Sequence, residues 1–332
     1  MVLNYIGSKK SLLPFLENTI SKLGIEGSSF CDPFSGTSSV GNYFKNDYTI
    51  TSNDKEYYSY IISWGYMISN YSDKLERIIN DLNNIKPKVG LITKNYSPYK
   101  ECERMFFTIT NAKKIDAIRE EIERMKNESL INKDEYIFLL ASLLESSDNV
   151  ANIACVYGAY LKKYKKSALI PIILFPLHHT RTNKNNTVYN MDIQELFEKD
   201  IEYDIVYLDP PYNTRQYSTN YFVLNYLAKY EDIELKGKTG MPLYCYKSPF
   251  ASKVKAKKAF IKLIETIKSK YIFLSYNNEG ILSSKDIKKI LETRGKVTLH
   301  TREYKRFKSQ KNIKELKQQK TVTEYLYEVR TF

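Results

Sequence analysis

The sequence of 332 residues predicts an α/β fold that is interrupted by a mainly helical insertion. Three observations predict it. Strand-like and helix-like segments alternate near both ends of the chain, as they do in α/β domains. The middle of the chain carries apolar residues almost only at helical spacing. The composition, with 42% hydrophobic and 27% charged residues, is typical of a globular protein. A chain of this length can form about two structural units.

The first part of the chain begins with an amphipathic helix and continues with a strand, a glycine turn and a second strand. Each element is assigned from the spacing of its apolar residues. The predicted elements are a helix at 11–23, a strand at 29–32, a helix at 38–44, a strand at 48–52 and a helix at 55–71.

The pattern then becomes helical from residue 73 to residue 163, apart from a Pro/Gly/Asn-rich stretch at 86–100. Strand patterns return after it. Strands are predicted at 187–189, 205–208, 272–275, 297–301 and 323–329, helices at 217–229, 252–269 and 284–293, and loops at 231–249 and 302–320. We therefore predict an α/β domain formed by residues 1–71 and 186–332, with a helical insertion at 72–185.

Composition narrows the classes of function. Lysine and arginine number 51 against 38 acidic residues, a net charge of +13, which favours a polyanionic partner. The lysine bias of an AT-rich genome would also produce such an excess. The four cysteines are more than fifty residues apart and no C-x-x-C pair exists, so no metal site is predicted. The apolar stretch at 168–177 is too short for a membrane span, and no secretory signal is visible. We expect a soluble, cytoplasmic protein.

The most specific local signal is Asp209-Pro210-Pro211-Tyr212, which directly follows an apolar strand. Two consecutive prolines stiffen the loop and remove two backbone donors. The Asp209 carboxylate and the Pro210 carbonyl are then two acceptors beside a flat tyrosine ring. Such an arrangement suits the exocyclic amino group of a planar base. A rigid turn capped by aspartate is the structural alternative.

Small residues and carboxylates follow the other predicted strands. The turn at 31–40 lacks both the G-x-G-x-x-G and the G-K-[ST] patterns, which favours an adenosyl ligand without a phosphate chain. Asp54 follows the second strand, where ribose hydroxyls bind in such folds, and Asp192 follows the third. Either carboxylate could instead cap the helix after it.

Taken together, these motifs resemble those of the alpha group of S-adenosylmethionine-dependent DNA adenine-N6 methyltransferases, many of which are partners of restriction endonucleases. The resemblance covers the whole α/β part in order. The matching segments are the N-terminal cofactor motif at 4–10, the first motif at 32–36, the ribose motif at 53–54, the adenine-contacting motif at 190–192, the catalytic motif at 209–212, a DNA-facing extension at 213–221, the next strand-end motif at 273–280 and the final strand at 324–326. Ser38 departs from the pattern, because many members have a second glycine there.

The resemblance implies a Rossmann-like methyltransferase sheet and S-adenosylmethionine as methyl donor, without a metal. It also implies roles for individual residues. These are Asp209, Pro210, Pro211 and Tyr212 in catalysis, Tyr5, Gly7, Lys10, Asp32, Phe34, Gly36, Thr37, Asp54, Asp192 and Asp209 in cofactor binding, and Arg215, Gln216, Tyr217 and Asn220 in DNA binding.

The implied substrate is an adenine that is flipped out of double-stranded DNA. Gly36 and Asp209 are 173 residues apart, whereas a compact enzyme needs about 90 residues there. In this family such an insertion reads the DNA sequence, and its basic stretches at 162–166 and 178–184 suit phosphate contacts. Each stretch could also be a solvated face. A cognate restriction endonuclease is a possible separate partner. The alternatives are an RNA methyltransferase with the same chemistry and a non-catalytic DNA-binding protein on a degenerate methyltransferase fold.

Overall fold

The computed structural model describes residues 3, 5–25, 27–178, 181–305 and 321–332. Its strands are β1 (Ser29–Asp32), β2 (Thr49–Asn53), β3 (Thr187–Tyr189), β4 (Tyr203–Leu208), β5 (Leu235–Lys236), β6 (Met241–Pro242), β7 (Ser269–Asn277), β8 (Gly295–Lys305) and β9 (Thr321–Thr331). Seven strands form one sheet in the order β3-β2-β1-β4-β7-β9-β8. The first five are parallel, and β9 is antiparallel to both of its neighbours. This mostly parallel sheet confirms the predicted Rossmann-like α/β class.

Helices lie on both faces of the sheet. They are α1 (Leu13–Ser21), α2 (Ser39–Phe44), α3 (Tyr57–Met67), α4 (Asp73–Asn84), α5 (Leu91–Tyr96), α6 (Ile109–Asn127), α7 (Lys133–Asn149), α8 (Ile193–Phe197), α9 (Tyr217–Asn220), α10 (Phe222–Lys229), α11 (Ala256–Thr266) and α12 (Ser284–Leu291). No helix in the described ranges combines the length and the apolar character needed to cross a lipid bilayer.

The core has two parts, one on each face of the sheet. Along β4, Ile205 and Tyr207 face one part, whereas Val206 and Leu208 face the other, as the two-residue period of a strand requires. The first part also contains the buried faces of α3 to α7, so the inserted helices share a hydrophobic core with the sheet. The second part lies under α8, α11 and α12.

Several predicted boundaries differ from the structure. The helix predicted at 217–229 is two helices, because Tyr221 leaves the helical conformation between α9 and α10. The helix predicted at 252–269 ends earlier, since Ser269 pairs with Tyr203 as the first residue of β7. The continuous helical pattern predicted up to residue 163 ends with α7 at Asn149.

Further differences occur in the predicted loops. The loop at 231–249 contains the short hairpin β5–β6. Residues 302–305, predicted as part of a loop, continue β8 beside β9. The remainder of that predicted loop, 306–320, lies outside the described residues.

Candidate functional site

A crevice of about 930 Å³, partly open to solvent, lies at the carboxyl ends of the central strands. The strand order reverses between β1 and β4, and ligands in open α/β sheets bind at such a switch point. Eight residues predicted to bind the cofactor line this crevice. They are Tyr5, Gly7, Asp32, Phe34, Gly36, Thr37, Asp54 and Asp209. Pro211, Gln216 and Tyr217 line it as well.

The glycine turn is connected to the end of β2 by a hydrogen bond. The Gly36 N–H donates to Asp54 Oδ2 over 2.9 Å, and Asp54 Oδ1 accepts the Glu56 N–H. Gly36 has φ +52°, and a Cβ at this position would lie 3.1 Å from the ring of Tyr5. The left-handed conformation and the close ring both require glycine here. Glycine therefore lets the turn lie close to the Tyr5 ring at the crevice.

Buried carboxylates surround this turn. Burial raises the pKa of Asp32 to about 8, and the nearby Asp209 carboxylate adds to the shift. Burial raises the pKa of Asp54 to about 6, and it raises the pKa of Glu56 to about 7. Asp32 Oδ2 accepts no hydrogen bond from the residues that the structure describes. An excess of buried carboxylates favours a ligand that carries positive charge.

The Asp209 carboxylate forms an ion pair with a lysine that the sequence did not single out. Lys9 Nζ lies 3.2 Å from Asp209 Oδ1 and 4.0 Å from Glu324 Oε2, and the Lys9 side chain is only 6% exposed. Burial raises the pKa of Asp209, and the Lys9 ammonium opposes that rise. Burial also disfavours the charge on Lys9, but the Asp209 carboxylate keeps the pKa of this lysine above its usual range.

Of the remaining residues of the catalytic motif, Pro211 lines the crevice, whereas Pro210 and Tyr212 are not among the residues that line it. Pro210 is buried, and among the described residues no donor forms a hydrogen bond with its carbonyl oxygen. The Tyr212 ring lies 5.3 Å from Lys9 Nζ and packs edge-on against Tyr276. Its carbonyl accepts the Ile281 N–H over 2.8 Å. Among the described residues, the Pro210 carbonyl thus accepts no hydrogen bond, and it lies between the Asp209 carboxylate and the Tyr212 ring in the sequence.

Two of the predicted cofactor residues do not line the crevice. Lys10 is exposed at the start of a 3₁₀ helix, and its neighbour Lys9 points inward instead. Asp192 caps α8 through Oδ1, while its Oδ2 accepts the hydroxyl of Tyr246. The helix-cap alternative thus describes the local geometry of Asp192.

The four residues predicted to bind DNA have different environments. Arg215 is exposed. The side-chain amide of Gln216 forms hydrogen bonds with the backbone of Ser248. Tyr217 stacks on Tyr5 with ring centroids 5.4 Å apart. The Asn220 carbonyl accepts the Tyr157 N–H of the insertion over 2.7 Å. Of these four residues, only Arg215 is therefore exposed.

Several residues that line the crevice were not singled out from the sequence, among them Lys9, Glu56, Tyr246, Ser248 and Phe250. Two of them had a signal in the sequence. Lys9 is adjacent to the predicted Lys10, and Glu56 lies two positions after Asp54. Tyr246 and Ser248 lie within the loop predicted at 231–249 and Phe250 directly follows it, so none of these three had a signal in the sequence.

Comparisons with known proteins identify the family of the chain. A family model described as "D12 class N6 adenine-specific DNA methyltransferase" matches residues 5–290. Type II methyltransferase M.NlaIII of Neisseria lactamica is 44% identical over 331 residues, which are 98% of each chain. Type II methyltransferase M.CviAII of Paramecium bursaria Chlorella virus 1 is 42% identical over 93% of each chain. Type II methyltransferase M.FokI of Planomicrobium okeanokoites is 40% identical over 92% of this chain, which corresponds to 50% of its own length.

The matched range contains both the glycine turn and the Asp209 loop. Neither the RNA-modifying nor the non-catalytic alternative is favoured by these similarities. The resemblance inferred from the motifs is confirmed, and the chain belongs to the D12 class of N6 adenine-specific DNA methyltransferases.

Proposed function

We propose that Asp209 and Pro210 hold the amino group of an extruded adenine beside S-adenosylmethionine bound in the crevice. The observation that carries the proposal is the Asp209 carboxylate at the end of β4, whose side chain is 18% exposed and is followed by a Pro210 carbonyl that accepts no hydrogen bond from the described residues. An N6 amino group has two N–H donors, and these two oxygens would accept them. Because the prolines limit motion of the loop, both acceptors are positioned before the base arrives.

The crevice residues fit a cationic adenosyl ligand. Its methionine part carries a sulfonium and an ammonium, and these positive charges would favour the ionised forms of Asp32, Asp54 and Glu56 around the glycine turn, whose pKa values are raised in the unliganded protein. The close backbone at Gly36 lets such a ligand approach the turn. The rings of Phe34 and Phe250 pack edge-on against each other and add aromatic surface to the crevice. When bound, S-adenosylmethionine supplies the methyl group that is transferred.

The protein residues contribute positioning and electrostatics to the reaction. Hydrogen bonds to Asp209 and Pro210 would draw the N6 lone pair out of conjugation with the purine ring and aim it at the methyl carbon. After transfer, the nitrogen loses one proton, and the Asp209 carboxylate is placed to accept it. Lys9 stabilises the ionised carboxylate before the reaction.

Tyr212 would stack on the extruded adenine. Extruding a paired base costs a few kcal/mol, and stacking on an aromatic side chain contributes about 1–3 kcal/mol. The ring is held at its edge by Tyr276 and through its backbone by Ile281, so that it needs little reorganisation.

We further propose that the insertion at 72–185 contacts double-stranded DNA and selects the sequence. Lys162, Lys163 and Lys166 are exposed and suit phosphate contacts, as does Arg215 beside the catalytic loop. Lys165 differs, because its Nζ donates to the Ile153 carbonyl within the insertion. The relatives are named type II methyltransferases, which supports a cognate restriction endonuclease as a separate partner of this chain.

The proposal is tested by measuring the rate at which labelled methyl groups are transferred from S-adenosylmethionine to duplex DNA, with structured RNA present as a competing substrate. We expect Asp209→Ala to lower transfer by at least about 100-fold, since one positioned charge stabilises the transition state by that much. Asp232→Asn, which removes an exposed carboxylate, is the control and should leave the rate unchanged. Near-wild-type transfer by Asp209→Ala would refute the catalytic assignment, and preferential transfer to RNA would refute the substrate. Modification-sensitive sequencing of DNA from cells that express the chain would then identify the methylated sequence.

A further inference from the structure

Residues 246–250, which we call the strap, form one wall of the crevice although they belong to none of the predicted motifs. Tyr246, Ser248 and Phe250 all line the crevice. The strap follows the β5–β6 hairpin and precedes α11. A segment of this kind needs anchors to keep its shape, because it has no regular hydrogen-bond ladder of its own.

The first anchor is the side chain of Gln216. Its Oε1 accepts the Ser248 N–H over 2.8 Å, and its Nε2 donates to the Ser248 carbonyl over 3.3 Å. The side-chain amide of Gln216 thereby forms hydrogen bonds with both the N–H and the carbonyl of Ser248, as the backbone of a neighbouring strand would. Two positions along the chain, the Ser218 hydroxyl donates to the Tyr246 carbonyl. Both anchors come from the segment that directly follows the catalytic loop.

The other contacts of the strap lie on the far side of the crevice. The Tyr246 hydroxyl donates to Asp192 Oδ2 over 3.0 Å, and Lys55 Nζ lies 5.8 Å from the Tyr246 ring. Phe250 packs edge-on against Phe34, with ring centroids 5.3 Å apart. The strap therefore connects the segment after the catalytic loop with the ends of β1, β2 and β3.

We infer that Gln216 and Ser218 are positioning residues that hold the strap as a wall of the donor crevice. The inference rests on the proposed binding of S-adenosylmethionine there. It assigns Gln216 to donor affinity and not to DNA reading, because its amide is already engaged by Ser248. Gln216, which itself lines the crevice, acts through Ser248, and Ser218, which does not line it, acts through Tyr246.

The test is calorimetric binding of S-adenosylmethionine to the full chain without DNA. Gln216→Leu keeps the approximate size of the side chain and removes both hydrogen bonds, so we expect binding to weaken about 5- to 100-fold. Gln216→Glu keeps the acceptor for the Ser248 N–H and should lose less. Lys247→Ala is the matched control, because this side chain lies on the strap but is exposed and outside the crevice. It should bind the donor within twofold of the wild type.

Kinetics separate positioning from a general structural defect. With Gln216→Leu we expect a higher KM for the donor, whereas kcat at saturating donor should stay within a few-fold because Asp209 is untouched. If Gln216→Leu binds the donor like the wild type but binds duplex DNA more weakly, Gln216 is a DNA contact and the inference is wrong.

A second variant is used if thermal denaturation shows that Gln216→Leu does not fold. Ser218→Ala removes only the bond to the Tyr246 carbonyl and should weaken donor binding about 2- to 10-fold. Unchanged donor binding by a folded Ser218→Ala would then overturn the inference. If the wild-type protein itself does not bind S-adenosylmethionine, the proposed function is wrong. If the wild type binds it and the folded variants bind it equally well, only the present inference is wrong.

Discussion

Lys9 Nζ lies 3.2 Å from Asp209 Oδ1, so a buried ion pair joins the N-terminal segment to the loop after β4. The two residues are 200 positions apart in the sequence. Burial disfavours the charged form of both side chains, and the charge of each side chain stabilises the charge of the other. In the proposed mechanism, the pair keeps Asp209 able to accept a hydrogen bond from the substrate amine.

We predict that Lys9→Met shifts the acid limb of the pH–rate profile to higher pH. Without the ammonium, burial raises the pKa of Asp209 further, so the carboxylate ionises only at higher pH. Transfer should fall at neutral pH and recover partly as the pH rises. Lys10→Met, a change of the neighbouring exposed lysine, should leave the profile unchanged. A Lys9→Met profile with the wild-type shape would contradict this role.

Donor binding should strengthen as the pH rises from about 6 to about 8. The raised pKa values of Asp54, Glu56 and Asp32 mean that these groups carry protons at the lower end of that range. A cationic ligand favours their ionised forms, so its binding should release protons. Calorimetry in buffers of different ionisation enthalpy measures that release.

S-adenosylhomocysteine is the control ligand for this prediction, because it lacks the sulfonium charge. It should release fewer protons and show a weaker pH dependence. Equal proton release by the two ligands would show that the sulfonium does not interact with these carboxylates.

Ser38→Gly should stabilise the protein without loss of donor binding. Ser38 has φ +59° and is fully buried, and its hydroxyl has no hydrogen-bond partner among the described residues. A left-handed conformation costs a residue other than glycine about 1–2 kcal/mol. Urea denaturation should show a gain of up to about 1 kcal/mol. Gly36→Ala should have the opposite effect, because it adds strain at φ +52° and crowds Tyr5. A loss of stability in Ser38→Gly would show that packing of the Ser38 side chain outweighs the backbone strain.

Tyr212→Leu should reduce extrusion of the target base. Loss of stacking removes about 1–3 kcal/mol, which corresponds to roughly 5- to 150-fold in the population of the extruded base. Fluorescence of 2-aminopurine at the target position reports that population. Tyr212→Phe retains the ring and should behave like the wild type in this assay. Equal fluorescence for Tyr212→Leu and wild type would exclude stacking by this residue.

Local sequence patterns were sufficient to predict the central strands of the sheet. The predicted bounds of β1, β2 and β4 differ from the structure by at most two residues. β4 is the clearest of them, because it is buried on both faces and reads as a continuous apolar run from Ile205 to Leu208. The helix boundaries around Tyr221 and Ser269 were wrong. Tyr221 interrupts the helix where its hydroxyl accepts the Ile6 N–H from a distant part of the chain, and Ser269 is drawn into β7 by pairing with Tyr203.

The sequence by itself determined which strand ends carry the reactive groups. Asp209-Pro210-Pro211-Tyr212 and the Gly36 turn are short motifs whose geometry depends on neighbours in the chain. Only the tertiary structure decided which side chains face the crevice. Lys9 points inward and Lys10 outward because side chains around a 3₁₀ turn differ in direction by about a third of a turn. Likewise, Gln216 meets Ser248 and Tyr246 meets Asp192 only when separate loops pack at the same sheet edge. Such contacts depend on packing between distant segments, which no local pattern records.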